Sequence, residues 1–204
     1  WQQDASSLGY ELDDASYLNL VGRDTDDCER DLLRQFGADC PMPEVRHRWS
    51  ELWRLRVERS GISMKTGLLE FLSFVEGHDL PVGIATSSDR GYTESSLRRA
   101  GLEGRFKIVV TGDQVAHGKP APDIYLETAR RLGVEPSQCV ALEDSDAGIL
   151  AATRAGMLPL LVPDLKAPSA EAVTAAFRVL NSLHEARHLV STLIDNGKSE
   201  RPGT

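Results

Sequence analysis

Cysteine is scarce: Cys28, Cys40 and Cys139 are the only three in 204 residues, widely spaced and without a Cys-x-x-Cys pair. Such usage provides no disulfide framework and no zinc or dithiol motif, so a reduced, cytoplasmic setting is expected. No apolar run approaches the roughly 18 residues of a membrane span. The opening Trp1-Gln2-Gln3-Asp4 has neither the basic flank nor the apolar stretch of a signal peptide, and no membrane partner is expected. Positive charge is also short. The 23 Lys and Arg against 31 Asp and Glu give a formal net charge of -8, which repels a phosphate backbone and argues against a nucleic-acid partner. A small anionic substrate would therefore need a local cation or a metal ion.

Hydrophobic residues make up 41% of the chain, enough to bury one core plus a small satellite. Residues 1–62 read as a helical module, with apolar residues at helical spacing (Leu32, Leu33 and Phe36; Trp49, Leu52 and Trp53) and breaks at Gly37, Pro41 and Pro43. From residue 63 to 204 the rhythm is strand alternating with helix. Strands are predicted at 81–85, 107–110, 139–142 and 158–162, with a weaker one at 177–180. Helices are predicted at 92–100, 123–132 and 147–155, each followed by a glycine suited to a C-cap, and at about 182–194, with a polar, frayed tail from Asn196. This alternation predicts an α/β fold, a doubly wound parallel sheet covered on both faces, carrying a small all-helical domain.

Ligand sites in open parallel sheets lie beyond the carboxyl ends of the strands. Three such places carry chemistry. Thr86-Ser87-Ser88-Asp89 offers hydroxyls and free N–H groups at a strand-to-helix turn, suited to phosphate, although a simple N-cap explains it equally well. Gly118-Lys119-Pro120-Ala121-Pro122-Asp123 holds a lysine in a rigid turn before a helix capped by Asp123; the plainer reading is a solvated loop lysine. Glu143-Asp144-Ser145 ends an apolar strand with two adjacent carboxylates, an arrangement that is costly without a cation. Mg²⁺ is the natural candidate there, with helix capping by Asp144 or Ser145 as the alternative.

Taken in order at successive strand ends, these stretches resemble the haloacid dehalogenase superfamily, in its β-phosphoglucomutase-like branch. Thr86 resembles the second motif of that family, Lys119 the third and Glu143-Asp144 the fourth, and the resemblance covers essentially the whole chain. It implies a mobile helical cap, with Leu20-Val21-Gly22-Arg23-Asp24 similar to a specificity loop in which Arg23 reaches the substrate. It further implies a Mg²⁺-dependent phosphatase acting on a small phosphorylated metabolite such as a sugar phosphate. Thr86 and Lys119 would be catalytic, Ser87 and Ser88 would bind substrate beside Arg23, and Glu143 and Asp144 would hold the metal. A β-phosphoglucomutase-type phosphomutase and a non-catalytic binding protein of the same fold are the alternatives. A monomer or weak homo-oligomer is expected.

The first motif of that family, an Asp-x-Asp pair after an apolar strand, has no counterpart in residues 1–204. Asp13, Asp14, Asp24, Asp26 and Asp27 follow no such strand and are not taken as nucleophiles. By the same resemblance the absent strand is the central one, flanked by those ending at Ala85 and Leu142. Removing it would orphan backbone groups at a cost on the order of 1–3 kcal/mol each. We therefore expect about two dozen further residues, a strand, loop and half-helix, ahead of Trp1, and no turnover by residues 1–204 alone. Among the remaining residues, His184 and His188 read as surface, His117 as a loop histidine, and Trp49 and Trp53 as core of the helical module. Arg90 follows Asp89 where relatives carry a small amide, so a phosphate role is not assigned to it.

Overall fold

The computed structural model describes residues 2–7, 9–20 and 25–199. Helices α1 (Gln2–Ser7), α2 (Asp14–Leu20), α3 (Thr25–Phe36) and α4 (Met42–Ser60) come first. Pro41 and Pro43 bracket the start of α4, where a missing N–H does no harm. The helix ends at Gly61, whose N–H closes on the Val57 carbonyl at 2.8 Å. Leu20, Cys28, Leu32, Met42, Val45 and Trp49 share one buried cluster, so these helices form a core of their own. Asp13 precedes α2 and accepts from the Ser16 N–H at 2.7 Å, and this bond holds its carboxyl below the usual range. It acts as a capping residue.

The remainder alternates as the sequence predicts: α5 (Leu68–Gly77), β1 (Gly83–Thr86), α6 (Arg90–Arg99), β2 (Ile108–Thr111), α7 (Asp123–Leu132), β3 (Val140–Glu143), α8 (Asp146–Arg154), β4 (Leu158–Leu161), α9 (Ala170–Ala175), β5 (Arg178–Val179) and α10 (Leu183–Ser199). Every strand pair is parallel. One face is covered by α5 and α10, through Phe71, Leu72, Val75, Ala186 and Val190 packed with Leu160 of β4. The other face carries α7 and α8, through Ile124, Tyr125, Ala151 and Ala152 against Val110 and Ala141. This is the expected α/β architecture. Its strands fall into two sheets, however, β1-β2 and β3-β4-β5. Among the described residues, β1 is paired only on its β2 side and β3 only on its β4 side.

Several boundaries differ from the sequence reading, for identifiable reasons. Pro81 lacks the N–H a ladder needs, so β1 begins at Gly83 and runs on through Thr86. Likewise β3 includes Glu143. Two presumed loop residues are thus the last residues of strands. Helices α5 and α9 were not anticipated, although Leu68, Phe71, Leu72 and Val75 of α5 have helical spacing. The terminal helix continues through Ser199, so residues 196–199 are helical where a frayed tail was expected.

Candidate active site

At the end of β1, the Ser88 N–H donates to the Thr86 hydroxyl at 3.2 Å. The capping of α6 falls to Asp89, which accepts from the Tyr92 N–H at 2.8 Å. Capping therefore does not account for Thr86, Ser87 and Ser88, and all three line a cavity of about 420 Å³ at the strand ends. The turn is held from behind by β2. Gly112, just after β2, donates its N–H to the Ser88 carbonyl at 2.9 Å, and any Cβ at Gly112 would collide with the Ser87 carbonyl oxygen.

Lys119 is not a solvated loop lysine. Its side chain is 6% exposed and that of Glu143, with which it forms an ion pair, is 8% exposed. The Lys119 ammonium also donates to the Ala85 carbonyl at 3.2 Å, so it joins the ends of β1 and β3. The loop that carries it is tied down by Arg154, whose guanidinium donates to the Pro120 carbonyl at 2.7 Å. Asp123 is the first residue of α7 rather than a cap before it, and its carboxylate faces His117 Nδ1 at 2.9 Å on the surface.

Glu143 is enclosed. The Tyr125 hydroxyl donates to the carboxylate oxygen that Lys119 also holds, and the Ser145 hydroxyl donates to the other oxygen at 3.2 Å. Ser145 in turn caps α8, accepting from the Gly148 N–H at 3.1 Å. A side chain at 148 would occupy the place of the Glu143 carboxylate, so glycine is required there by close approach. A buried charge pair is stable only when its remaining lone pairs are satisfied, and here three donors surround the carboxylate.

Asp144 lies beside this network and lines the cavity. Its carboxyl is raised above its usual range, first by burial and then by the negative charge of Glu143, with Asp164 adding to the effect and Lys119 opposing it. Lys65 lines the same cavity, its ammonium on the Pro163 carbonyl at 3.1 Å and the Asp164 carboxylate at 3.3 Å. The sequence reading missed both Lys65 and Tyr125. Lys65 stands in no motif, whereas Tyr125 follows Asp123 by two residues and was read only as helix.

Thr86, Ser87, Ser88, Lys119, Glu143 and Asp144 thus surround one cavity. Arg23 lies outside the described residues. Arg90 pairs with Glu94 at 2.9 Å along α6. His184 packs on Gly67, and among the described residues no group of three or more His, Cys, Asp or Glu side chains converges. Trp49 is buried in the helical core as expected. Trp53 is not: its ring packs against Tyr92 of α6, with centroids 4.5 Å apart, so it bridges the helical module and the α/β module.

The sequence model of the haloacid dehalogenase-like hydrolase family matches residues 5–162. A bifunctional riboflavin kinase/FMN phosphatase of Arabidopsis thaliana is 29% identical over 180 residues, 88% of this chain and 47% of that protein. A fructose-1-phosphate phosphatase of Escherichia coli is 48% identical over 77 residues, 38% of this chain and 41% of its own. The crystal structure of CbbY from Rhodobacter sphaeroides in complex with phosphate superposes with a TM-score of 0.79 at 26% identity, covering 90% of this chain and 85% of that one. The chain spans about half the length of the curated sequence relatives it matches.

Proposed function

Because the chain belongs to the haloacid dehalogenase-like hydrolases, we propose that it is the greater part of a Mg²⁺-dependent phosphatase acting on a small phosphorylated metabolite. A sugar phosphate is the favoured class, given the fructose-1-phosphate phosphatase among its relatives. The observation that carries this reading is the buried Lys119, set between the ends of β1 and β3 and sharing one cavity with three hydroxyl residues and Asp144. An ammonium in a site largely shielded from water is worth more to a developing phosphoryl charge than a solvated one.

In this reading the Thr86 hydroxyl and the N–H groups of the following turn hold the phosphoryl oxygens. Lys119 offsets the charge that builds on nucleophile and phosphoryl group. Glu143 and Asp144 form the metal end of the site. The oxygens of Glu143 are already engaged by Lys119, Tyr125 and Ser145, so Asp144 is the carboxylate best placed to take a cation. Its raised proton affinity, caused by burial beside another anion, fits a group built to face a cation. A hard ion that keeps most of its water needs few protein carboxylates, and one or two are what the site offers. When bound, Mg²⁺ would neutralise phosphoryl charge and orient the ester for in-line attack.

The nucleophile belongs between the two sheets. Among the described residues β1 pairs only with β2 and β3 only with β4, and Ala85, Leu142, Val162 and Leu183 line the cavity at their ends, which suits an added parallel strand. An aspartate at its carboxyl end would lie beside Lys119. Its oxygen would attack phosphorus and displace the alkoxide, a second carboxylic acid would protonate that leaving oxygen, and water would then cleave the aspartyl-phosphate. The helical module, residues 1–62, serves as the cap over the site. Assay of the full-length protein against a panel of phosphate esters, with Mg²⁺ and with chelator, tests the proposal. Mg²⁺-dependent phosphate release is expected, and its absence with every ester would rule the proposal out.

A further inference from the structure

We propose that Tyr125 is a positioning residue of the phosphoryl site: its hydroxyl, together with that of Ser145, holds the Glu143 carboxylate when Lys119 turns from Glu143 toward the phosphoryl group. The inference rests on the phosphatase reading above. A lysine ammonium is a compact charge with three donors on a flexible stem, and it serves substrate only by giving up part of what it holds at rest. At rest Lys119 holds the Ala85 carbonyl and Glu143.

Glu143 has little exposed surface at which water could replace the ammonium. Withdrawal of Lys119 would leave an uncompensated carboxylate, and that penalty would fall on substrate binding. Tyr125 is the donor that remains on that oxygen. Its hydroxyl already reaches the same Glu143 oxygen that Lys119 does, while Ser145 serves the other oxygen. The ring lies under the ammonium, with Lys119 Nζ 5.1 Å from the centroid, so the cation keeps a favourable face as it moves. Gly148 adds the space in which the carboxylate sits without moving.

Tyr125→Phe in the full-length protein keeps the ring and removes only the donor. The measurements are the inhibition constant for inorganic phosphate, KM and kcat for a phosphate ester, and the same phosphate titration in a Lys119→Met background. Loss of a hydrogen bond to a buried charged group is expected to raise the phosphate constant and KM about tenfold, with a smaller change in kcat. In the Lys119→Met background the second substitution is expected to change phosphate binding no further, because the group through which Tyr125 acts is gone. Phosphate binding by Tyr125→Phe equal to wild type would overturn the inference, as would a loss that persists undiminished without Lys119. A wild-type protein that neither binds phosphate nor hydrolyses any ester would overturn the phosphatase reading and this inference with it.

Discussion

Asp144 is where a single residue is most exposed to test. Its folded-state proton affinity is raised, by burial first and by Glu143 second. A carboxyl raised on folding binds its proton more tightly in the folded state, so its contribution to stability falls as pH rises from the unfolded value through the folded one. At neutral pH the metal-free protein therefore carries an electrostatic penalty at this position. Asp144→Asn is expected to relieve it, raising the Tm of the metal-free full-length protein at pH 7 by about 2 °C, and to abolish the Tm rise expected on adding Mg²⁺ to wild type. A variant no more stable than wild type without metal, yet still stabilised by Mg²⁺, would remove Asp144 from the metal site.

At the scale of elements, the turn after β1 is only as well placed as the strand behind it. Gly112 permits β2 to approach the Ser87 carbonyl, and an added methyl group would have to displace backbone rather than a flexible side-chain tip. Gly112→Ala is expected to cost roughly 1–3 kcal/mol in chemical denaturation and to weaken phosphate binding, because Thr86 and Ser88 move with the turn. Unchanged denaturation and unchanged phosphate affinity would show that the turn holds its shape without β2. The alternation of elements was legible in the sequence because buried parallel strands are short apolar runs between amphipathic helices. The places of Thr86, Lys119, Glu143 and Asp144 followed from the rule that ligands gather at strand ends. What stayed hidden depends on contacts between distant segments. Tyr125 matters because α7 brings its hydroxyl to β3, Lys65 because the start of α5 meets the loop after β4, and Trp53 because α4 meets α6. None of these pairs is close in sequence, and no local pattern encodes them.

At the scale of the whole molecule, the division of the strands into two sheets bears on the proposed activity. If the nucleophile sits on a strand between β1 and β3, as proposed above, polypeptide limited to residues 1–204 is expected to release no phosphate under conditions in which a chain carrying that strand does. Measurable Mg²⁺-dependent turnover by residues 1–204 alone would show that the nucleophile lies within them. The contact between Trp53 and Tyr92 has a different use. Because Trp49 is buried in the helical core while Trp53 rests on Tyr92 of the α/β module, the indole of Trp53 is the natural optical probe of that contact: should a ligand shift the helical module, a change in Trp53 emission is expected, and Trp53→Phe is expected to remove it.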